Sequence, residues 1–385
     1  MVYLDGLIIY ISAWLGAFTS DGRADAPLTL RRILVLVLFP LFLLVQLLHI
    51  ACLILDHVLF PGFRATSVHR PLFILGIPRS GTTFLHRELA RDEAFTAPES
   101  WEVLVAPSIC QRHIVSLLVR VDKALGQPLA RIGKSMLRRW GAAVDEVHPL
   151  GLTEAEEDYL ALLPAAGCFF VMLMFPHAGG FQNLGRFDSL PTERRDRLLR
   201  CYHGLLQRQV YFHGNAQLLS KNAAFTSWVP YLAKQYDDAI FVFCIREPKA
   251  ALTSQLTSLR AARDAFASFP SDQRLAQRFT EYYAAWLAQL RRTRSALPRE
   301  PLVVEQEWLR GHRAETVAAI YARLERSNSC GSAELGQSAQ GTSHAMPARA
   351  TADWELDRRL VEAMQEDYAA LKDLARSQRE ETVCC

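Results

Sequence analysis

The chain has 385 residues, half of them hydrophobic, enough to bury a sizeable core; this excludes both an intrinsically disordered chain and a small disulfide-stapled scaffold. Lys and Arg number 43 against 40 Asp and Glu, and a net charge of +3 is too small for a nucleic-acid binder that relies on a broad positive field, so any anionic ligand must be held locally. The eight cysteines form no C-x-x-C pair and join no histidine cluster at zinc spacing, which predicts neither a metal site nor a disulfide framework.

Near the N-terminus, Leu7 to Phe18 is apolar but too short to cross a bilayer alone. The stretch from Ile33 to Leu55 has twenty-three residues without a formal charge. As a helix it is roughly 35 Å long, which predicts membrane insertion, with Pro40, Gln46 and His49 allowing a kinked, tilted or re-entrant course. A signal peptide has a shorter apolar core followed by a small-residue cleavage site, absent here. Arg23, Arg31 and Arg32 before the stretch are matched by Arg64, Arg70 and Arg79 after it, so the charge bias leaves the topology open. Residues 1–62 are therefore expected to be a membrane-associated region, and 63–385 a globular domain. Cys384 and Cys385 are either a lipidation signal or an incidental end.

Beyond the turn at Pro61-Gly62, short apolar runs alternate with amphipathic ones. Phe73 to Ile77, Leu218 to Ser220, Ile240 to Ile245 and Leu302 to Val304 read as buried strands, each followed by helical periodicity, so the class is α/β: a central parallel sheet with helices on both faces. Residues 327–350, rich in Ser, Gly, Ala and Gln, predict a flexible insertion.

The strongest chemical signal follows the first strand: Gly76-Ile77-Pro78-Arg79-Ser80-Gly81-Thr82-Thr83, then Phe84-Leu85-His86 opening a helix. A strand, a glycine-bounded loop and a helix N-terminus aim backbone N–H groups at one point, a phosphate cradle. The G-x-x-x-x-G spacing is that of a P-loop, but Thr82 stands where nucleotide-hydrolysing versions have Lys; the cation is Arg79, inside the loop. Here the sequence resembles the sulfotransferases that use 3'-phosphoadenosine 5'-phosphosulfate (PAPS), in the bacterial or tyrosylprotein-like branch, through Pro78-Arg79-Ser80-Gly81-Thr82-Thr83. The resemblance implies a P-loop-containing three-layer fold, and that Arg79, Ser80, Gly81, Thr82, Thr83 and the adjoining Phe84 bind the phosphosulfate. Arg246 at the end of a strand, with Ser254 eight positions on, matches the family's 3'-phosphate site. An Arg fork and a helix hydroxyl supply the donors that such a phosphate needs. Weaker is Val303-Val304-Glu305-Gln306-Glu307-Trp308-Leu309, where the usual Tyr is missing and Glu305 also imitates the acid of a Walker B strand.

Sulfuryl transfer to an alcohol needs a general base. The resemblance places a catalytic Glu in Ala97-Pro98-Glu99-Ser100-Trp101-Glu102: Glu102, in a Trp-Glu pair that resembles the bacterial branch, is favoured, Glu99 is nearer the spacing of the tyrosylprotein branch, and the alternative is that both are ordinary helix-start residues. For Lys221 at a strand end the resemblance implies a ligand for sulfuryl or acceptor oxygens, and the alternative is a surface lysine. His148 and the acidic run Glu154, Glu156, Glu157, Asp158 before the apolar Tyr159 to Phe175 either line an acceptor pocket or cap a core helix, and His86 reads as a packing residue. The expectation is a membrane-associated PAPS-dependent sulfotransferase whose hydroxyl acceptor is a lipid, other small molecule, glycan or tyrosyl peptide, with no nucleic-acid partner. Its domain faces the cytoplasm, or the Golgi lumen in a eukaryote. A P-loop kinase or NTPase, and a noncatalytic nucleotide-binding protein, are the competing classes.

Overall fold

In the computed structural model, residues 1–128, 131, 153–325 and 354–384 are described. The expected insertion at 327–350, His148 and Cys385 lie outside them. Among the described residues, the α-helices of five or more residues, in chain order, are α1 (Val2–Gly16), α2 (Ser20–Asp25), α3 (Leu30–Leu59), α4 (Thr82–Leu89), α5 (Ser100–Leu104), α6 (Ile109–Ala124), α7 (Thr192–Phe212), α8 (Val229–Gln235), α9 (Pro248–Phe266), α10 (Asp272–Thr293), α11 (Gln306–Gly311), α12 (Arg313–Arg323) and α13 (Arg358–Cys384). The strands are β1 (Leu72–Gly76), β2 (Phe95–Thr96), β3 (Gln217–Lys221), β4 (Ile240–Ile245) and β5 (Leu302–Glu305).

The five strands form one parallel sheet in the order β2-β3-β1-β4-β5. The reason is visible in β1 and β4, which are apolar at every position but the Gly76 end of β1 and buried throughout. Successive side chains point to opposite faces. Phe73 and Leu75, with Phe241, Phe243 and Ile245, enter the larger core under α7, α9 and α10. Leu72 and Ile74, with Ile240, Val242 and Cys244, enter a second core against Leu85 and Leu89 of α4 and Val317 and Ile320 of α12. A strand buried on both faces needs an unbroken apolar run, and the helices above and below make three layers.

The free edge of β5 is covered by α13. Gln378 accepts from the Val303 N–H at 3.0 Å and donates to the Pro301 carbonyl at 2.9 Å, occupying groups that an open edge would offer to another chain. Glu305, at the end of β5, is buried and receives Tyr368 at 2.8 Å and Lys372 at 2.8 Å from the same helix. Its carboxylate thus anchors α13.

The N-terminal helices share the large core: Tyr10, Ala13, Leu36, Phe39 and Leu53 belong to the same buried cluster as the sheet residues. Leu30–Leu59 is one continuous helix through Pro40, held to the domain at both ends. Near its start, the buried Arg32 donates to the Met174 carbonyl at 2.7 Å; near its end, the buried Asp56 pairs with Arg208 of α7 at 2.8 Å and accepts from the Ile109 and Cys110 N–H groups.

Candidate active site

In a parallel sheet, ligands collect beyond the carboxyl ends of the strands, where successive connections leave in opposite directions. Here β1 lies between β3 and β4, so three strand ends meet at one crevice: the loop after Gly76, Lys221 at the end of β3, and Arg246 one residue beyond β4.

The loop is shaped by its glycines and by one strained arginine. Gly76 has φ +144°, and a Cβ there would sit 2.1 Å from the Cys244 carbonyl oxygen on β4, so no other residue fits without parting the two strands. The Thr226 hydroxyl stitches the turn by donating to the Gly76 carbonyl at 2.7 Å. Arg79 has φ +68° and Gly81 φ +94°, left-handed positions that turn N–H groups inward in a nest above the start of α4. Tyr283 of α10 donates to the Pro78 carbonyl at 3.0 Å and fixes the loop from below. Burial, opposed only in part by Arg79 and Arg246, holds the Tyr283 hydroxyl well above its ordinary pKa, so it stays a donor. The Ser80 hydroxyl is fully buried and bonded to the Ile77 carbonyl at 2.6 Å; its side chain braces the loop, leaving its N–H as the group it can offer a ligand. Thr82 is buried and Thr83 exposed at the head of α4.

The loop and the β4 end converge. Arg79 Nε donates to Ser254 Oγ at 3.0 Å, and Arg246 donates to the Arg79 carbonyl at 3.2 Å. The eight-residue separation of Arg246 and Ser254 places the serine on the second turn of α9, facing back to the strand end. The Arg246 guanidinium is held below its ordinary pKa by burial and by two neighbouring cations, Arg310 and Arg79. Three guanidinium groups this close repel one another, an arrangement stabilised when an anion is brought between them. Arg310, on α11, was missed in the sequence because no periodicity or spacing singles it out. Leu309 beside it lies against the loop, 3.2 Å from where a Gly81 Cβ would be, and Arg313 covers the Phe84 ring at 4.7 Å.

The two carboxylate candidates differ sharply. Glu99 caps α5 in a reciprocal box: its side chain accepts from the Glu102 N–H, and Glu102 accepts from the Glu99 N–H at 2.9 Å. Glu102 is fully buried, 2.8 Å from His213 Nε2, 3.4 Å from Arg112 and 3.2 Å from Gln209 Nε2. Burial alone would raise its pKa, but Arg112 and then His213 hold it at about 2. Glu99 is partly exposed, accepts from Trp101 Nε1 at 2.7 Å, and is pushed above the usual carboxylate range, chiefly by burial, with the Glu102 charge adding to it. A partly exposed carboxylate with a raised pKa suits proton abstraction better than one enclosed by an arginine, a histidine and a glutamine.

The Glu99 segment pairs in an antiparallel bridge with Ala155, which brings the acidic run to the crevice. Lys221 is buried, and its ammonium lies 2.5 Å from Glu157 Oε1, so the surface alternative does not hold. Asp158, next in the run, accepts from Tyr202 at 2.6 Å, and its carboxyl is raised to about 6, by burial first. His86 is fully enclosed beside this group and is lowered to about 3 by burial and then by the Lys221 charge. It is a neutral packing residue. Among the described residues, no group of three or more His, Cys, Asp and Glu is arranged to hold a metal. A cleft of about 670 Å³ lined by Thr66, His69, Arg70 and Gln217 opens at the opposite, amino ends of β1 and β3, away from these groups.

The fold is found in solved structures. The sulfotransferase STF1 from Mycobacterium tuberculosis H37Rv aligns over 95% of this chain and 92% of its own, with a TM-score of 0.66 and 19% identity. The sulfotransferase STF9 from Mycobacterium avium aligns over 84% and 81%, with a TM-score of 0.59 and 16% identity. No curated protein matches the sequence. The model of the Sulfotransferase family matches residues 71–328, a span that contains the loop, the ends of β3 and β4, Glu99 and Arg310; the chain belongs to the sulfotransferase family.

Proposed function

We propose that the protein transfers the sulfuryl group of PAPS to a hydroxyl acceptor. The observation that carries this reading is the convergence of Arg79, Ser254 and Arg246 at the mouth of the left-handed loop, with Arg310 adding a third positive charge. Such a cluster suits a ligand with phosphate-like groups at two places. The residues fit the donor: the loop N–H groups and Arg79 take the phosphosulfate end, and Arg246 with Ser254 takes the 3'-phosphate. PAPS supplies an activated sulfuryl group on a phosphate leaving group. The chain's part is to hold both ends in line, to neutralise charge through preorganised guanidinium and N–H donors, and to take the acceptor's proton.

In this reading Glu99, rather than Glu102, is the general base. Lys221, steadied by Glu157, is placed to bind a sulfuryl or acceptor oxygen, and Glu102 holds α5 so that Glu99 is presented. Lipid-like alcohols are the first acceptors to try, because the apolar N-terminal helices share the catalytic domain's core. A P-loop kinase is disfavoured: Thr82 replaces the loop lysine, and Glu305, the residue that imitates a Walker B acid, is engaged by Tyr368 and Lys372.

The test is transfer of label from radiolabelled PAPS to a panel of sterols, fatty alcohols, sugars and tyrosyl peptides. Labelled product that Glu99→Gln suppresses supports the reading. Magnesium-dependent ATP turnover without sulfuryl transfer would overturn it, and labelling of soluble sugars alone would remove the lipid-like acceptor.

A further inference from the structure

The long apolar helix presents a problem for a simple membrane anchor. A helix of 30 residues is about 45 Å long and has the composition to cross a bilayer. Both its ends, however, are fastened to one globular domain: Arg32 to the Met174 carbonyl, and Asp56 to Arg208 and to the head of α6. A helix that crosses a membrane delivers its ends to opposite sides, so this helix cannot cross while those bonds stand. Of its polar residues, Arg32, Gln46, His49 and Asp56 face inward, His49 towards Gln111 of α6, and only Arg31 and His57, in its first and last turns, are exposed. The outward face is aliphatic along its length, with Val37, Leu41, Leu44 and Leu48 each more than half exposed.

Two neighbours extend that face. α1 lies against the first half of α3, with Trp14 Nε1 donating to the Leu36 carbonyl at 2.9 Å, and it exposes Leu4, Ile8, Ile11 and Leu15 in one stripe. α6 lies against the second half and exposes Ile114, Leu117, Leu118 and Val121, with Leu125 just past its end. Charge on these helices is one-sided. The carboxylates of α3 and α6, Asp56 and Asp122, are buried, and Asp5 of α1 is paired with Arg197 at 2.7 Å. Arg31, Arg120 and Lys123 are exposed. An apolar surface bordered by cations, with its acids withdrawn, complements an anionic lipid leaflet; two copies meeting through this face would bring like charges together.

We propose that α1, α3 and α6 form a monotopic membrane face that lies in one leaflet of an anionic phospholipid bilayer, with α3 parallel to the surface. This holds independently of sulfuryl transfer, and its test needs no turnover. The full chain is floated with phosphatidylcholine vesicles and with vesicles that also contain phosphatidylglycerol. Leu41→Glu with Leu48→Glu should lower partitioning more than tenfold, and Arg120→Gln with Lys123→Gln should reduce the preference for the anionic vesicles by about fivefold for each charge, leaving only the share of Arg31. Circular dichroism melting checks that each variant is folded. Partitioning unchanged by the Leu substitutions, or loss of a dimer in place of lost vesicle binding, overturns the proposal. In sealed membranes from expressing cells, Pro27→Cys and Ser67→Cys flank α3; both react with an impermeant maleimide or both are shielded. One reactive and one shielded means a crossing helix and overturns it.

Discussion

Replacing Glu102 by Gln separates a carboxylate that holds the structure from one that does chemistry. The carboxylate is held at about 2 against an ordinary 4.5, and its full burial leaves little solvent to screen its partners. A depression of that size corresponds to about 3 kcal/mol of folded-state stabilisation at ~1.4 kcal/mol per unit. The contact geometry leads to a similar figure, because removing one partner of a buried pair and leaving Arg112 uncompensated costs about 3–5 kcal/mol. Since the folded pKa is lowered, this stability is fully present above about pH 4.5 and disappears as the pH falls towards about 2. Glu102→Gln should therefore lower the melting temperature by several degrees at pH 7, with the two proteins converging in acid. Glu99→Gln should melt within a degree or so of the parent, since loss of a partly exposed cap costs about 1 kcal/mol, and should abolish transfer. Calorimetry across the pH range, beside a transfer assay, reads both. If Glu102→Gln melts like the parent at pH 7 and yet abolishes turnover, Glu102 is the base and the structural argument fails.

Two further substitutions probe the frame of the site. Gly76→Ala would put a Cβ 2.1 Å from the Cys244 carbonyl between two hydrogen-bonded strands; a loss of about 3 kcal/mol or more is expected in urea unfolding, and a midpoint near the parent's would contradict the close approach. Asp158, raised to about 6 chiefly by burial, is held nearer its neutral form by the fold, so its contribution grows unfavourable as the pH rises from about 3.8 to about 6. Asp158→Asn should stabilise the protein above pH 6 by up to about 3 kcal/mol and flatten that part of the stability profile; an unchanged profile would refute the assignment.

Much of the fold was legible because its signals are local. The apolar runs that became β1, β3, β4 and β5 are buried on both faces, and such strands need no alternation to be recognised. β2 escaped because two residues, Phe95 and Thr96, carry no pattern. The loop and the Arg246/Ser254 spacing were readable for the same reason: a tight turn and two turns of helix fix geometry within a few residues. The proposed exchange of Glu102 for Glu99 rests on partners that the motif does not show: Arg112, ten residues on, and Gln209 and His213, more than 100 residues on. The course of α3 was hidden in a similar way. Composition reveals an apolar helix, but only Arg208 and the Met174 carbonyl, more than 140 residues away in sequence, show that both ends are tied to one body.

The central claim is that the site reads a 3'-phosphate, and the most direct measurement is calorimetric titration of the full-length protein with adenosine 3',5'-bisphosphate, with ADP and adenosine 5'-monophosphate as comparisons. Removing a charged, bidentate donor costs about 1.5–3 kcal/mol, so Arg246→Ala should weaken the bisphosphate at least tenfold and leave adenosine 5'-monophosphate nearly unaffected. Tight binding that depends on the 3'-phosphate and is lost with Arg246 is the predicted result; equal or tighter binding of ADP, indifferent to Arg246, would contradict the account.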